Sequence, residues 1–328
     1  APKLQLKGAM GRPMEQIGIL SRMIGDGSSR ELAGSPIQAI IERTKSPSSL
    51  ANALQRMKAQ GLITGALPVV KGVPEEVQRA AALIIEASLD ASNYRSAAFA
   101  NATEASSLFK IETTQSLASD DAALSQRRIN FARKVELSYL YSAAQEISAA
   151  VVEAERMIGP LGQTADYDFQ VETTWGRISL TGRGKNEHVR GPYFVAIDTG
   201  GDDFWLRPAS NQSWDNWVSI CLDTSGRDTY VSDSALRSTR VNDWSGRAAR
   251  TGMGPAGAAF GVAVLLDADG DDVYRSSLPG LGAAVYGCAV LLDLKGKDSY
   301  EAWSEGQGYG RFGIGILEDL EGDDSYEG

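Results

Sequence analysis

The sequence predicts an α+β protein of two domains, with an α-helical bundle at 1–162 and a β-solenoid, a parallel β-helix-like stack, at 163–328. Two observations predict this fold class. In the first half, apolar residues recur at three- and four-residue steps, as in helices that bury one face. In the second half, one motif recurs at nearly constant spacing, which is typical of stacked repeats. We therefore expect about six repeats of 25–26 residues in the second domain.

Helix signals in the first half follow one another along the chain. Ser46-Pro47 supplies an N-cap serine and a proline at the first helical position, and Gly61 suits the residue just after that helix. Pro74 opens the next helix, which has glutamates in its first turn. The apolar period then predicts one long helix from Ser119 to Ile158, ended by a Gly-Pro pair. Together these signals predict a helical bundle.

The repeated motif of the second half is Asp-x-x-Gly-x-Asp-x-aromatic, which occurs five times. Successive copies begin 25 or 26 residues apart, except that 44 residues separate the second from the third. A weaker copy at 176–186 precedes the series, and Asp243–Gly246 is interpreted as a remnant within the long gap. The five copies are Asp198–Trp205, Asp223–Tyr230, Asp267–Tyr274, Asp293–Tyr300 and Asp319–Tyr326.

A short strand precedes each copy of the motif. The residue three positions before the first Asp is always Val or Ile, and both faces of the strand are largely apolar, as expected for a strand that is covered on each side. The first Asp is predicted to hold an Asx-type turn, and the glycine to supply a positive φ. The second Asp and the aromatic residue then begin another strand, so the aromatic side chains should stack as a structural ladder.

Stacking would also bring equivalent carboxylates close together. At the strand spacing of about 4.8 Å, two carboxylates repel by about 1 kcal/mol in water and about 3–4 kcal/mol at an effective dielectric near 20. Bound Ca²⁺, which prefers carboxylate and carbonyl oxygens, would offset this repulsion. Alternatively, backbone N–H groups satisfy every Asp, and Lys297 or Arg227 screens the rest. The candidate metal ligands are Asp198, Asp203, Asp223, Asp228, Asp267, Asp272, Asp293, Asp298, Asp319 and Asp324.

The turn segments resemble those of a known family. Asp269–Tyr274 and Glu321–Tyr326 are similar to the calcium-binding nonapeptide repeats of secreted RTX-type proteins, although the nine-residue period is absent. The longer unit resembles the Asp-x-x-Gly-x-Asp-x-Tyr repeats of large secreted bacterial proteins. The first resemblance implies Ca²⁺ in the turns. The second implies a β-solenoid and carries no established activity.

Composition narrows the classes of function. A net charge of −10 and a pI near 4.8 argue against nucleic acid and anionic membranes as partners. The single histidine, His188, is interpreted as a surface or turn residue and leaves little for histidine-based catalysis. Cys221 and Cys288 lie in non-adjacent repeats with opposite strand parity, so no disulfide is expected. The longest uncharged stretch, 276–292, contains proline and glycines and is interpreted as repeat, so no transmembrane segment is predicted.

These observations predict a non-catalytic, exported scaffold or interaction protein, an extrinsic subunit of a larger cell-envelope or membrane-associated assembly. The small N-terminal residue Ala1 fits removal of a signal peptide, which places the protein in the periplasm or outside the cell. We expect other protein subunits to cap the strand edge at 313–328. Asp202-Asp203, Asp271-Asp272 and the aromatic ladder leave open a polysaccharide-binding or polysaccharide-cleaving β-helix, although a catalytic pair should occur only once.

Overall fold

The computed structural model describes residues 6–24, 42, 49–114, 122–159, 166–241 and 252–328. Within these ranges, α-helices come first and β-strands follow. The helices are α1 (Pro13–Met23), α2 (Leu50–Ala59), α3 (Glu75–Ala98), α4 (Ala105–Thr114), α5 (Ala122–Ala132) and α6 (Leu137–Ile158). None of them is both long and apolar enough to cross a membrane.

Three sheets hold the strands. The first has seven strands, in the order β1 (Asp168–Thr173), β2 (Gly176–Thr181), β4 (Tyr193–Asp198), β6 (Val218–Asp223), β9 (Val262–Asp267), β12 (Cys288–Asp293) and β15 (Ile314–Asp319). The second contains β3 (Glu187–His188), β5 (Phe204–Leu206), β7 (Thr229–Val231), β10 (Val273–Ser276), β13 (Ser299–Ala302) and β16 (Ser325–Glu327). The third contains β8 (Gly257–Ala259), β11 (Ala283–Val285) and β14 (Gly310–Arg311). Every neighbouring pair is parallel except β1 and β2.

The motif copies pair residue for residue in the first sheet. Asp223 pairs with Asp267, Asp267 with Asp293, and Asp293 with Asp319. The weaker copy is confirmed, because β2 pairs with β4 in front of the series. Strand β6 pairs directly with β9, so the 44-residue gap inserts no strand between them. The remnant predicted at Asp243–Gly246 lies outside the described residues.

The first sheet is the middle layer of the molecule. Its side chains at alternate positions, such as Val264 and Leu266, share a core with apolar residues of α3 and α6. Leu265, between them, points to the opposite face and packs with Tyr274 of the second sheet. Both faces of the central strands are therefore covered, as the apolar composition of the strands predicted.

The predicted fold class is wrong. The helices do not form a separate bundle followed by a β-solenoid; they bury their apolar faces in the same core as the first sheet, in an α/β arrangement with three mostly parallel sheets. The physical reason is that the other two sheets leave one apolar face of the first sheet uncovered. The helices pack on that face and bury it. The division predicted at residues 162 and 163 falls at positions outside the described residues, and it stays a prediction.

The long helix predicted from Ser119 to Ile158 is also wrong, because α5 ends at Ala132 and α6 begins at Leu137. Between them, the backbone N–H of Glu136 donates to the carbonyl of Ala98 at the end of α3, which takes it out of any helical ladder. Position 119 lies outside the described residues.

The other helix ends lie close to their predicted positions. Helix α2 is capped by the side chain of Ser49, whereas the predicted start at Ser46-Pro47 lies outside the described residues. Gly61 follows α2 with a φ of 76°, and α3 begins directly after Pro74, as predicted.

The two cysteines lie as the strand parity predicted. Strand β9 separates β6, which carries Cys221, from β12, which carries Cys288. Cys221 faces the second sheet, whereas Cys288 faces the helices. Two strand spacings amount to about 9.6 Å, which exceeds the reach of a disulfide of about 7 Å.

We expect both thiols to be free and unreactive in the folded protein. Both side chains are buried, and burial raises the pKa of each thiol, so little thiolate forms at neutral pH. Alkylation followed by mass spectrometry should find two unmodified cysteines in the native protein and two modified ones after denaturation. A peptide crosslinked through Cys221 and Cys288 under non-reducing conditions would contradict this placement.

Candidate metal centre

The motif connects the first sheet to the second and places its two aspartates at the junction. In the third copy, Asp267 ends β9, and Asp272 directly precedes β10. Because the copies stack in register, the ten predicted aspartates form two adjacent rows along this junction. We call the two rows together the aspartate column. Its members are Asp198, Asp203, Asp223, Asp228, Asp267, Asp272, Asp293, Asp298, Asp319 and Asp324.

The first aspartate is well supplied with hydrogen bonds in the first four copies, whereas Oδ1 of Asp319 in the fifth has no partner. Oδ1 of Asp267 accepts from the backbone N–H of Asp269 at 3.2 Å, which is the predicted Asx-type turn. Oδ2 of Asp267 accepts from the hydroxyl of Tyr230 in the preceding copy at 2.5 Å. Tyr274 donates in the same way to Asp293, at 2.7 Å. The aromatic ladder thus also supplies donors to the carboxylates, a role that the sequence did not indicate.

The second aspartate is only half satisfied in four of the five copies. Its Oδ1 accepts from the backbone N–H of the second aspartate in the preceding copy, as from Asp228 to Asp272 at 2.6 Å. Oδ2 is buried and has no hydrogen-bond partner in Asp203, Asp228, Asp272 and Asp298. A buried carboxylate oxygen without a partner is costly, so a proton or a cation is needed beside it. Backbone N–H groups therefore do not satisfy every aspartate.

The structure gathers these side chains into five groups that could hold a metal ion. Four groups combine the second aspartate of one copy with both aspartates of the next, and in each group the ligand atoms lie within 4.8 Å of one another. Every aspartate of the column belongs to a group. The five groups are His188, Asp198 and Asp203; Asp203, Asp223 and Asp228; Asp228, Asp267 and Asp272; Asp272, Asp293 and Asp298; and Asp298, Asp319 and Asp324.

Burial and mutual repulsion raise the pKa of several aspartates of the column. Burial is the main cause that raises the pKa of Asp228 and of Asp272, and the charge of Asp267 raises both further. Burial likewise raises the pKa of Asp298 to about 7. The pKa of the Tyr274 hydroxyl is also raised by burial, so this group remains a hydrogen-bond donor. At neutral pH, a metal ion at these groups would therefore compete with protons for the same oxygens.

The glycine of the motif is needed mainly for space. The predicted positive φ is found at Gly201 and Gly296, with values of 143° and 156°, but not at Gly270. A Cβ added to Gly270 would lie closer than 3.0 Å to the carbonyl oxygen of Gly226 and to both carboxylate oxygens of Asp272. The absent side chain therefore leaves room for a ring of oxygens beside the column.

His188 is not the surface or turn residue that we expected. It is 5% exposed, pairs in register with Trp205, and stacks on that ring with centroids 3.5 Å apart. Its Nε2 lies 3.2 Å from Oδ2 of Asp198. The signal was present in the sequence, because Gly184-x-Asn186-x-His188 matches Gly-x-Asp-x-aromatic with two substitutions.

The predicted aromatic ladder is confirmed as a buried structural element. Tyr230, Tyr274, Tyr300 and Tyr326 stack with centroids 4.8 Å apart, and the first three are fully buried. A second column, which we did not predict, consists of Phe260, Tyr286 and Phe312 at the corner of the third sheet. Its 26-residue spacing and the glycine after each ring were visible in the sequence.

No family model, curated protein or solved structure matches the chain. The resemblance to secreted repeat proteins therefore stays a prediction.

Proposed function

We propose that this chain is a non-catalytic, exported structural protein whose aspartate column binds Ca²⁺ and whose strand edge at 313–328 joins it to other subunits of a cell-envelope assembly. The observation that carries the proposal is repetition. The same buried acidic group, with the same unpartnered oxygen, recurs along the stack. A catalytic centre needs one such group, whereas a repeat stabilised by cations needs one at each junction.

The oxygens of the column suit Ca²⁺. Four of the five groups offer only carboxylates, and Ca²⁺ prefers oxygen ligands at about 2.3–2.6 Å. Two ligands on opposite sides of such an ion lie up to about 5 Å apart, which is compatible with a spread of 4.8 Å. The carbonyl oxygen of Gly226, beside Gly270 and Asp272, is a further oxygen of the kind that Ca²⁺ accepts.

Calcium binding can be counted directly. We expect isothermal titration calorimetry to find up to four equivalents of Ca²⁺, one for each all-carboxylate group. Asp272→Asn should weaken two sites, because Asp272 belongs to two groups, whereas Asp324→Asn should weaken one. Asp323→Asn, at an exposed neighbour outside the groups, is the matched control. Absence of binding, or equal losses in the control, would remove calcium from the proposal.

The observations do not favour the polysaccharide alternative. The rings that would stack on sugar faces are buried in the ladder, and only Tyr326 is open to solvent, at 52% exposure. A cavity of about 310 Å³ lies beside Arg207, Gln212 and Asp233, and its described lining contains no aromatic residue. Adjacent acidic pairs occur in three of the five copies, at Asp202-Asp203, Asp271-Asp272 and Asp323-Asp324, which is not the pattern of a single glycoside-cleaving pair.

The edge formed by β14, β15 and β16 is the proposed interaction surface. These three strands lie at the same end of their respective sheets, and among the described strands each pairs with one neighbour. Both aromatic columns end here, with Phe312 36% exposed and Tyr326 52% exposed. Open strand edges with exposed apolar side chains pair readily with other strands. We propose that the partner is a protein subunit that adds strands to this edge.

Without its partner, the purified chain should self-associate through this edge in a concentration-dependent way. Replacing Phe312 and Tyr326 together by Lys should shift the sedimentation profile to monomer, because charges block edge pairing. Val69→Lys, at an apolar residue that is 73% exposed elsewhere, is the control and should leave association unchanged. A wild-type chain that stays monomeric at high concentration would contradict the proposed surface.

A further inference from the structure

We propose that the group formed by His188, Asp198 and Asp203 is a separate site for a first-row transition metal ion such as Zn²⁺. It lies at the β3 end of the aspartate column and is the one group there that includes a nitrogen ligand. The site shares one ligand, Asp203, with the neighbouring all-carboxylate group, and it does not require an ion in that group.

Two of the three ligand atoms lie nearly as far apart as neighbouring ligands of a tetrahedral ion. Nε2 of His188 and Oδ2 of Asp198 are 3.2 Å apart. Ligands at the usual Zn–N and Zn–O distances of about 2.0–2.2 Å lie roughly 3.3 Å apart across a tetrahedral edge. The ligand atom of Asp203 lies within 4.8 Å of both. Oδ2 of Asp203, a side chain that is 3% exposed, is buried and lacks a hydrogen-bond partner.

The chemistry of this group differs from that of the repeats after it. Where the later copies have a second aspartate, this one has Asn186, and where they have Trp or Tyr, it has His188. One carboxylate is lost and one imidazole is gained. A mixed set of imidazole and carboxylate favours Zn²⁺ and its neighbours, whereas the all-carboxylate groups favour Ca²⁺.

Neighbouring groups hold the ligands in position. The side-chain amide of Asn186 donates to Oδ2 of Asp198 at 3.3 Å, and its backbone N–H donates to Oδ1 of Asp203 at 2.6 Å. This second bond occupies Oδ1 and leaves Oδ2 of Asp203 for an ion. Stacking on Trp205 fixes the imidazole plane. Hydrogen bonds of this kind orient metal ligands and tune their affinity.

A purely structural role for His188 leads to a different expected result. Trp205 donates from Nε1 to Oδ2 of Asp223 at 3.2 Å, and His188 stands in the equivalent relation to Asp198. If His188 serves only as a ladder donor, Tyr can replace it, since Tyr fills this position in the later copies. A metal instead needs the nitrogen lone pair, which Tyr lacks. His188→Tyr therefore keeps the ladder and removes the nitrogen ligand.

Co²⁺ is the probe, because its visible absorption reports nitrogen and oxygen ligands in tetrahedral geometry. The full chain is refolded with Co²⁺ in the presence of excess Ca²⁺, so that burial of the site does not block entry of the ion. We expect one equivalent of bound Co²⁺ with intense visible absorption, which is lost when Zn²⁺ is added during refolding. Under the same conditions, the His188→Tyr variant should bind at least tenfold less Co²⁺ per chain than the wild type. Its circular dichroism spectrum should match that of the wild type.

Asp272→Asn, in a distant group, should retain the Co²⁺ absorption and serves as the control. If His188→Tyr does not fold, His188→Trp, which copies Trp205, replaces it. Folded wild-type protein without bound Co²⁺, or an unchanged spectrum in the histidine variant, would overturn the inference. Loss of Ca²⁺ binding alone, with the Co²⁺ site intact, would instead count against the proposed function.

Discussion

Removal of Ca²⁺ is expected to lower the melting temperature of this protein by about 10 °C or more at neutral pH. A ligand that binds only the folded state stabilises it, by about 4 kcal/mol per site when its free concentration is 1,000 times Kd. Each kcal/mol corresponds to about 2–4 °C for domains of 150–250 residues. Differential scanning calorimetry in Ca²⁺ and in chelator measures the shift.

The effect should grow with pH, and its sign follows from the raised pKa values. The folded-state pKa of Asp298 is about 7, and burial also raises that of Asp228 and Asp272 above the ordinary value for aspartate. Folding therefore favours the protonated forms. In chelator, this stability is complete below about pH 4 and is lost as pH rises through the folded-state values.

In the proposed sites, calcium would bind the deprotonated carboxylates, so a calcium-loaded protein should keep its stability over the same range. The gap between the two melting curves is expected to widen from pH 5 to pH 9. Asp272→Asn should narrow this gap, because it removes one charge from two groups, whereas Asp323→Asn should leave it unchanged. Curves that coincide at every pH would show that protons alone neutralise the column.

The second large effect is expected from Gly270→Ala, which should destabilise the protein by about 3 kcal/mol or more. The added methyl group would meet the carbonyl oxygen of Gly226 and the carboxylate of Asp272 at less than 3.0 Å. One of the three colliding atoms is a backbone oxygen and the other two belong to a buried carboxylate, so relief requires the stacked copies to separate. The φ of Gly270 is not left-handed, so backbone strain would not contribute to the loss.

Gly65→Ala is the matched control for this experiment. A Cβ at Gly65 meets no atom within 4 Å, so the variant should be neutral or slightly more stable than the wild type, by at most about 1 kcal/mol. Chemical denaturation of both variants gives the comparison. If Gly270→Ala were as stable as Gly65→Ala, this result would contradict the close contact between neighbouring copies at the motif.

The sequence by itself determined the local features of the repeats. A period of 25 or 26 residues, with Val or Ile three positions before each first Asp, located the strands and their register. The Asx-type turns and the stacked aromatic side chains also followed from local chemistry, as Asp267 and Tyr274 show. These features depend on residues close together in the chain or repeated in register, and periodicity reports both kinds.

The tertiary structure decided how the repeats are covered and which atoms remain unsatisfied. The repeat pattern placed the apolar residue Val264 in a strand. It did not show that helices α3 and α6 cover this residue, because that contact joins residues far apart in the chain. It placed Asp272 in the motif, but only the packed copies show that Oδ1 is occupied and Oδ2 is not. The contacts of His188 with Trp205 and Asp198 are seen only in the folded structure. A metal site depends on three-dimensional convergence of ligands, which no local pattern specifies.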